Sequence, residues 1–421
     1  MKSYIICLLF VAFAKASTEN ITDIGDFLDF ITKALDELVQ RVPLHPDTDL
    51  SISEILEKYG YPFEAHNVTT EDDYIITLHR IKHGRNETTS SNDTRPVVFL
   101  QHGLACSSMS FVHYGPGKAH AMLFADEGYD VWLGNVRGTM YSSHKTLTPS
   151  DSDYWEFGFH EKAVYDLATG IDYVINTTGQ EQITLVAHSE GTTEGMVLTS
   201  IKPEYNDKIN LMVLLSPIAY MTNITSPLPR FLAENMDLMK LVLDTLNIKG
   251  MPHSKILADL GKLFCNDASS LQDMCVMAVE FLVGFDLPQF NKTMLPVLIN
   301  NSPSGISMKE IYHYGQAMNS GYFRQYDYGA IQNLIKYSSI SPPSYDLSKI
   351  TCPIASYYAQ NDFFATVPNV EKLLEELPNK AISHLIEYEL FNHLDFIYAN
   401  DVKELLFDDM IEIVKQYSPL P

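Results

Sequence analysis

The sequence predicts an α/β fold in which a mostly parallel sheet is covered by helices and carries an inserted helical cap. Two observations lead to this prediction. Short, continuously apolar segments alternate with helical stretches, as expected for parallel strands buried on both faces. The alternation stops at about residue 218 and resumes at about residue 346. We therefore expect a core formed by residues 51–217 and 346–421, with a cap formed by residues 218–345.

The N-terminus has the composition of a secretory signal peptide. A basic start, an apolar run and small residues at its end assign residues 1–16 to this peptide, the alternative being a buried N-terminal helix. The run is shorter than the roughly 18 apolar residues that a transmembrane helix needs, and no later run reaches that length. Residues 17–50 are predicted to form an N-terminal segment or pro-region. We expect secretion, with the lysosome as the alternative destination.

Eight N-glycosylation sequons agree with export. In each, an asparagine precedes Ser or Thr by two residues without an intervening proline. Two of them fall in the polar stretch at residues 86–94, which predicts a glycosylated surface loop. The candidate acceptors are Asn20, Asn67, Asn86, Asn92, Asn176, Asn223, Asn291 and Asn300.

The cysteines favour one disulfide. Cys7 leaves with the signal peptide, and the close pair Cys265 and Cys275 is the favoured bridge in an oxidising compartment. Cys106 and Cys352 are then expected to be free and buried. The sequence predicts no metal site, since it contains neither paired C-x-x-C motifs nor H-E-x-x-H.

Composition narrows the class of protein. Hydrophobic residues at 46% and charged residues at 19% indicate a globular chain. The formal charge of −24 argues against nucleic acid and against electrostatic docking on anionic membranes. It is compatible with an uncharged substrate, although such acidity also serves solubility alone.

The predicted core elements follow in chain order. A capping-box pattern at Ser51 and Glu54 begins a first helix, and Gly60 ends it. A β-hairpin follows, and then the apolar strands and helices of the parallel sheet. The predicted strands are residues 64–69, 74–80, 96–100, 130–133, 183–187, 209–215, 353–359 and 385–390, and the predicted helices are residues 51–59, 117–127, 161–177, 191–201 and 402–416.

The predicted cap contains amphipathic stretches at residues 231–246 and 255–264. Nine of the sixteen methionines lie between Met221 and Met318. Flexible thioether side chains suit an adaptable apolar surface, so we interpret the region as a cap with a movable element. The alternative is an ordinary helical core.

Ser189 is the candidate nucleophile. The apolar run at residues 183–187 leads directly into a helix, which places Ser189 on a sharp strand-to-helix turn. Such a turn needs small residues two positions before and after the serine, and Ala187 and Gly191 meet this condition.

A serine hydroxyl needs an imidazole to accept its proton and a carboxylate to orient that imidazole. In hydrolases of this topology, these residues follow in the order Ser, Asp, His, each after the end of a strand. Asp362 and His393 satisfy both order and placement. The predicted catalytic residues are Ser189, Asp362 and His393.

Four rival side chains are assigned other roles. Asp346 precedes its strand and Asp395 lies two residues past His393, so both are interpreted as surface or capping carboxylates. His188 should point away from Ser189, and we expect it to be a packed histidine. His102 is interpreted as structural.

The predicted oxyanion hole consists of two backbone N–H groups. One belongs to the residue after the nucleophile, Glu190, and the other to Leu104 in the loop after an early strand. The alternative for residues 102–104 is a plain glycine turn.

Several motifs resemble the acid lipase family, which includes the gastric and lysosomal lipases and their insect relatives. The likeness runs from about Ser51 to the C-terminus. The motifs that carry it are Gln101-His102-Gly103-Leu104, Tyr129 to Arg137-Gly138, Tyr165-Asp166-Leu167, Ala187-His188-Ser189-Glu190-Gly191-Thr192-Thr193, Asn361-Asp362 and Asn392-His393-Leu394-Asp395-Phe396.

The resemblance implies an α/β-hydrolase core, a helical cap with a lid, and hydrolysis of neutral lipid esters. The Cys265 and Cys275 pair also resembles the disulfide of the family. Two residues depart from the usual Gly-His-Ser-Gln-Gly: Ala187, which adds one methyl group, and Glu190, whose carboxylate would oppose an oxyanion if it faced one. A reduced or pH-shifted activity is expected.

The leading hypothesis is a secreted or lysosomal serine lipase acting on triacylglycerols or steryl esters at a lipid–water interface. It requires no metal and no organic cofactor, and the sequence makes no prediction of oligomeric state. The alternatives are a lipase-fold storage or binding protein of low activity and a short-chain carboxylesterase.

Overall fold

The computed structural model describes residues 24–86 and 94–420. The predicted signal peptide and the sequons at Asn20 and Asn92 lie outside this range. Within the described residues, nine strands form one sheet and two short strands form another. In chain order the strands are β1 (Glu64–Thr69), β2 (Tyr74–Ile81), β3 (Val97–Gln101), β4 (Asp130–Leu133), β5 (Ser142–His144), β6 (Ile183–His188), β7 (Ile209–Leu215), β8 (Gly250–Pro252), β9 (Gly305–Ser307), β10 (Ile354–Tyr358) and β11 (Lys380–Leu385).

The main sheet is mostly parallel, as predicted. Its order is β1-β2-β4-β3-β6-β7-β10-β11, and β5 pairs with β2. All pairs from β4 to β11 are parallel, whereas the pairs that involve β2 are antiparallel. Every residue of β3, β4 and β6 is buried, which explains their continuous apolar sequence.

The helices occupy the connections between strands and the region predicted as a cap. Two of them are preceded without a break by π-helical turns, at Lys162–Leu167 and Lys403–Phe407, and the first of these turns follows a single helical turn at Phe159–Glu161. In chain order the helices are α1 (Ile24–Val39), α2 (Ile52–Lys58), α3 (His120–Asp126), α4 (Ala168–Thr178), α5 (Glu190–Ile201), α6 (Pro227–Glu234), α7 (Met236–Thr245), α8 (Lys255–Cys265), α9 (Gln272–Val283), α10 (Leu295–Asn301), α11 (Met308–Ser320), α12 (Ala330–Tyr337), α13 (Val367–Glu376), α14 (Asp395–Tyr398) and α15 (Asp408–Tyr417).

Helix α2 begins as its sequence predicts. The Ser51 side chain accepts a hydrogen bond from the N–H of Glu54, and the Glu54 carboxylate accepts one from the N–H of Ser51. This reciprocal pair satisfies two N–H groups that the first turn would otherwise leave without partners. The following β1–β2 hairpin is also confirmed.

The described chain divides into two compact units. One comprises residues up to Asp49 together with Ser254–Met277 and Lys292–Asn300, and the other contains the main sheet. In the first unit, a disulfide joins Cys265 to Cys275, which confirms the predicted bridge. The boundaries of core and cap given above remain predictions.

Two elements differ from the sequence-based expectation. The last strand is β11, Lys380–Leu385, and residues 386–390 form a bend and a turn instead of a strand. Strand β11 lies at the edge of the sheet, is half exposed, and lacks the continuous apolar run of the inner strands. The residues after it, 386–390, alternate between apolar and acidic side chains, and this alternation resembles the pattern of a strand. The helix expected over residues 231–246 is divided into α6 and α7 at Asn235.

None of the helices in the described part of the chain is long and apolar enough to cross a membrane.

Candidate active site

Ser189 lies on a strained turn between β6 and α5. Its backbone angles, φ 54° and ψ −119°, are unfavourable for a residue with a side chain. The turn is held by a hydrogen bond of 3.0 Å from its N–H to the Leu215 carbonyl and by one of 2.9 Å from Thr192 N–H to its carbonyl. The sequence therefore folds locally as predicted, and the Ser189 side chain borders a cavity.

Two glycines allow the turn to approach its neighbours. A Cβ atom added to Gly191 would lie 2.6 Å from the Gln101 carbonyl oxygen, and one added to Gly103 would lie 2.9 Å from the Ser189 Cβ. Both distances are shorter than van der Waals contact, so neither position tolerates a side chain without movement. This close approach places the loop after β3 beside Ser189.

The structure brings the three predicted catalytic side chains together. The His393 Nε2 lies 2.8 Å from the Ser189 Oγ. The His393 Nδ1 lies 3.0 Å and 3.1 Å from the two carboxylate oxygens of Asp362. These contacts span 204 and 31 residues of sequence and form one continuous chain of hydrogen bonds.

The sequence analysis missed a fourth polar residue of this site, Ser216. Its hydroxyl lies 2.5 Å from the Asp362 Oδ2 and 2.7 Å from the His393 Nδ1. Ser216 directly follows β7, the neighbour of β6 in the sheet. Like Ser189, Ser216 comes directly after the end of a parallel strand, at the edge of the sheet where the site lies. This position was the one sequence signal that pointed to it.

Asp362 is buried yet favours its charged form. Burial alone would raise its pKa, but the His393 imidazole and hydrogen bonds from Ser216 and the Phe364 N–H outweigh burial and lower the pKa below its usual value. The Phe364 and Ala365 N–H groups lie 2.8 Å and 2.9 Å from the Oδ1. The carboxylate is thus fixed by several donors.

The two rival histidines have structural partners, as expected. His188 Nε2 donates to the His393 carbonyl at 2.9 Å, and burial lowers its pKa to about 3. His102 Nδ1 donates to the Gly103 carbonyl at 2.9 Å, and burial lowers its pKa to about 4. Both are neutral at neutral pH, and the first holds the loop that carries His393.

The interpretation of Asp395 as a surface or capping carboxylate is wrong in one respect. The side chain is only 3% exposed, although its Oδ2 accepts a hydrogen bond of 2.7 Å from the Asn392 N–H. Burial, together with Asp286 and Glu280, raises its pKa to about 9. Asp346 is exposed and accepts a hydrogen bond from Ser348 N–H, as expected of a cap.

The two predicted oxyanion donors border the same cavity as Ser189. Leu104 follows the glycine that approaches Ser189, and Glu190 is the first residue of α5. Within the described part of the chain, neither of their N–H groups donates to another protein group. Both remain capable of donating to a substrate oxygen.

The Glu190 side chain belongs to a buried cluster of charged and polar groups. Lys162 Nζ lies 3.0 Å from the Glu190 Oε1 and 2.6 Å from the Glu310 Oε1. Burial would raise the Glu190 pKa, but Lys162 outweighs it and lowers the pKa below its usual value. Burial and the charge of Glu190 raise the pKa values of Glu310 and Glu194. The Glu190 carboxylate is therefore balanced by Lys162.

An apolar cavity of about 320 Å³ lies beside Ser189. The methionines expected to form an adaptable surface contribute to it. Helices α6 and α11 supply several of its other apolar side chains, among them Leu232 and Ile311. The methionines in its wall are Met221, Met236, Met239 and Met318.

Other predicted sites have the following positions. Cys352 is buried as expected, whereas Cys106 is partly exposed, because it lies on the loop after β3 that borders the cavity.

Among the predicted glycosylation acceptors, Asn300 has a hydrogen-bonded side chain: its amide donates to the Thr48 carbonyl at 2.7 Å. Glycosylation remains a prediction. Of the described candidate acceptors, Asn67, Asn86, Asn176 and Asn223 are exposed, and Asn291 and Asn300 are partly buried.

Two family models match the chain. One is described as a partial alpha/beta-hydrolase lipase region and matches residues 52–115, and the other is described as the alpha/beta hydrolase fold and matches residues 96–245. A solved structure, a soluble variant of monoglyceride lipase from Saccharomyces cerevisiae, gives a TM-score of 0.51 at 12% identity and covers 89% of this chain and 98% of its own. Fold and site together define an α/β-hydrolase.

Curated relatives define the family. Lipase 3 of Drosophila melanogaster is 40% identical and covers 86% of this chain and 92% of its own length. Gastric triacylglycerol lipase of Bos taurus is 35% identical, with 89% and 94% covered. Lysosomal acid lipase/cholesteryl ester hydrolase of Macaca fascicularis is 35% identical, with 89% and 93% covered. The chain belongs to the acid lipase family and is an ester hydrolase that acts on lipid esters.

Proposed function

We propose that this protein is a secreted serine lipase that hydrolyses neutral lipid esters, with triacylglycerols as the main class and steryl esters as an alternative. The observation that carries the proposal is the hydrogen-bond chain from Ser189 through His393 to Asp362 at the wall of an apolar cavity. Relatives named for triacylglycerol and cholesteryl ester substrates support the substrate class.

The proposed reaction begins with attack of the Ser189 hydroxyl on the ester carbonyl. His393 Nε2, 2.8 Å from the hydroxyl oxygen, accepts the proton as the C–O bond forms. Asp362 holds the other ring nitrogen and stabilises the imidazolium. The tetrahedral oxygen then receives hydrogen bonds from the N–H groups of Leu104 and Glu190.

The acyl-enzyme forms when the tetrahedral intermediate collapses. His393 returns its proton to the leaving alcohol, and the ester bond to Ser189 remains. Water then attacks this ester, with His393 accepting a proton from the water and donating it to the Ser189 oxygen. The products are a fatty acid and an alcohol, and no redox step or cofactor is involved.

The apolar cavity suits the acyl chain of a lipid. Its lining is almost wholly apolar apart from the reacting groups, and the methionines can adapt to chains of different length. An acyl chain bound there would place its carbonyl carbon at the polar end of the cavity, where Ser189 lies.

Labelling with a fluorophosphonate tests the nucleophile. Wild-type protein should be labelled, whereas Ser189→Ala and His393→Ala should not. Ser356→Ala is a matched control, since Ser356 is a buried serine on β10 outside the site, and it should be labelled normally. A folded wild type that resists labelling would contradict the proposal and favour a storage or binding protein.

Hydrolysis rates then test the substrate class. Emulsified long-chain triacylglycerol should be hydrolysed faster than a soluble short-chain ester, because a long acyl chain fills more of the cavity. The reverse order would identify a short-chain carboxylesterase.

A further inference from the structure

Ser216 occupies an unusual backbone position at the end of β7. It is fully buried, and its φ of 55° lies in the left-handed region that favours glycine. Its N–H donates to the Tyr357 carbonyl on the neighbouring strand at 2.9 Å. A residue held in this conformation is compatible with a specific role for its side chain.

The Ser216 hydroxyl contacts both groups that support the nucleophile. The hydroxyl oxygen lies 2.5 Å from the Asp362 Oδ2 and 2.7 Å from the His393 Nδ1. The two Asp362 carboxylate oxygens lie 3.0 Å and 3.1 Å from the same ring nitrogen, so the Ser216 hydroxyl is its closest partner. A hydroxyl donates one proton and accepts two. Because an ionised carboxylate can only accept, the hydroxyl donates to Asp362 and accepts from the N–H of His393.

We propose that Ser216 is a positioning residue whose hydroxyl bridges His393 and Asp362 and holds the imidazole in the tautomer that serves Ser189. This inference rests on the function proposed above. With Nδ1 committed as a donor to two acceptors, Nε2 carries the lone pair that faces the Ser189 hydroxyl. No bond to Ser216 forms or breaks, and its proton stays on its own oxygen throughout.

The bridge also affects the ionisation of Asp362. The hydrogen bond from Ser216 is one of the interactions that lower the Asp362 pKa, and removing it raises that pKa. His393 and His188 are the titratable groups that face Asp362, and both remain when Ser216 is replaced. A larger fraction of Asp362 is then protonated at any acidic pH, so the acid limb of the activity profile moves to higher pH.

Two substitutions separate the hydroxyl from the backbone. Ser216→Ala removes the hydroxyl and keeps the Cβ, whereas Ser216→Gly removes the hydroxyl and relieves the strain of the positive φ. Ser356→Ala is the matched control, because Ser356 is a buried serine on the adjacent strand whose hydroxyl has no hydrogen-bond partner within the described residues. Folding is checked by circular dichroism, and if the alanine variant fails to fold, the glycine variant carries the test.

The readouts are kcat and KM for a soluble ester across pH and the rate of fluorophosphonate labelling of Ser189. Both Ser216 variants should lose about 10- to 100-fold in kcat and in labelling rate, the loss of one hydrogen bond to a charged group. KM should be unchanged, the acid limb should move upward, and Ser356→Ala should match wild type.

The outcomes distinguish this inference from the proposed function. If wild type is labelled and both Ser216 variants keep its kcat and acid limb, the inference alone is overturned. If Ser216→Gly is fully active and Ser216→Ala is not, the effect belongs to the backbone, and the inference is also overturned. If wild type is not labelled at all, the proposed function is wrong and the inference falls with it.

Discussion

The buried pair of Lys162 and Glu190 predicts an asymmetry between two substitutions. Lys162 lies between the carboxyl groups of Glu190 and Glu310, and the three side chains are 4%, 1% and 0% exposed. Lys162→Met would leave the Glu190 carboxylate buried without its cation. Glu190→Gln would leave Lys162 beside Glu310, whose carboxyl group can ionise in place of Glu190.

The burial of the three groups sets the expected size of each effect. Removing one partner of a buried ion pair costs about 3–5 kcal/mol of unfolding free energy, which we expect for Lys162→Met. In Glu190→Gln, the charge that helps to raise the Glu310 pKa is gone, so that carboxyl group ionises against Lys162 and the loss falls to about 1 kcal/mol. The double variant has neither charge and should be about 2–3 kcal/mol more stable than Lys162→Met alone.

Urea unfolding followed by tryptophan fluorescence measures these differences in a double-mutant cycle. Lys145→Met serves as a control, because Lys145 pairs with Asp73 on the surface and should contribute less than about 1 kcal/mol. Equal losses for Lys162→Met and Lys145→Met, or a double variant that shows the sum of both single losses, would refute the reasoning. Glu190→Gln should keep kcat within about threefold, since the N–H of residue 190 is unchanged.

Three further predictions concern other parts of the chain. Gly191→Ala should lower kcat by more than about 100-fold, because the added Cβ would lie 2.6 Å from a backbone carbonyl oxygen beside Ser189. Gly179→Ala is the control: its added Cβ would meet no other atom of the described chain within 4 Å, so this variant should change stability only. Burial raises the Asp395 pKa from 3.8 to about 9, so the wild-type protein loses stability as the pH rises between these values. The urea midpoint of Asp395→Asn should therefore exceed that of wild type by an amount that grows toward alkaline pH. A difference that does not depend on pH would contradict this prediction. Replacing Cys265 and Cys275 by serine should lower the free energy of unfolding by about 2–3 kcal/mol relative to oxidised wild type, and reduced wild type should show a similar loss. Identical thermal melting of the variant, the reduced protein and the oxidised protein would exclude a stabilising role for the disulfide.

The sheet and the turn at Ser189 could be predicted because their signals are local. A continuous apolar run reports a strand buried on both faces, and small residues around a serine report a tight turn. Asp362 and His393 were found because the chain order of such sites is restricted and each follows a predicted strand. For His393 the strand itself was misplaced, since β11 ends at Leu385 and not at residue 390, yet the histidine loop follows it all the same.

Ser216 and Asp395 could not be assigned because their environment depends on distant parts of the chain. Ser216 reaches Asp362 across 146 residues, through the pairing of β7 with β10, and no motif marks it. Asp395 lies two residues past the histidine, which suggested a surface or capping role, but it is only 3% exposed and interacts with Asp286, a residue more than 100 positions earlier in the sequence. Burial of a polar side chain by remote segments leaves no local pattern in the sequence.

At the turn after Ser189, the backbone and the side chain of Glu190 have separate roles. The proposed contribution of residue 190 to catalysis is its backbone N–H, which is present whatever side chain the residue carries. The Glu190 carboxylate instead reaches Lys162 on the π-helical turn and, through it, Glu310 on α11. Helix α11 also supplies Tyr314 and Met318 to the cavity wall. A charge that would oppose an oxyanion is thus neutralised in an interaction that connects α5 to α11, so its removal should change stability more than chemistry.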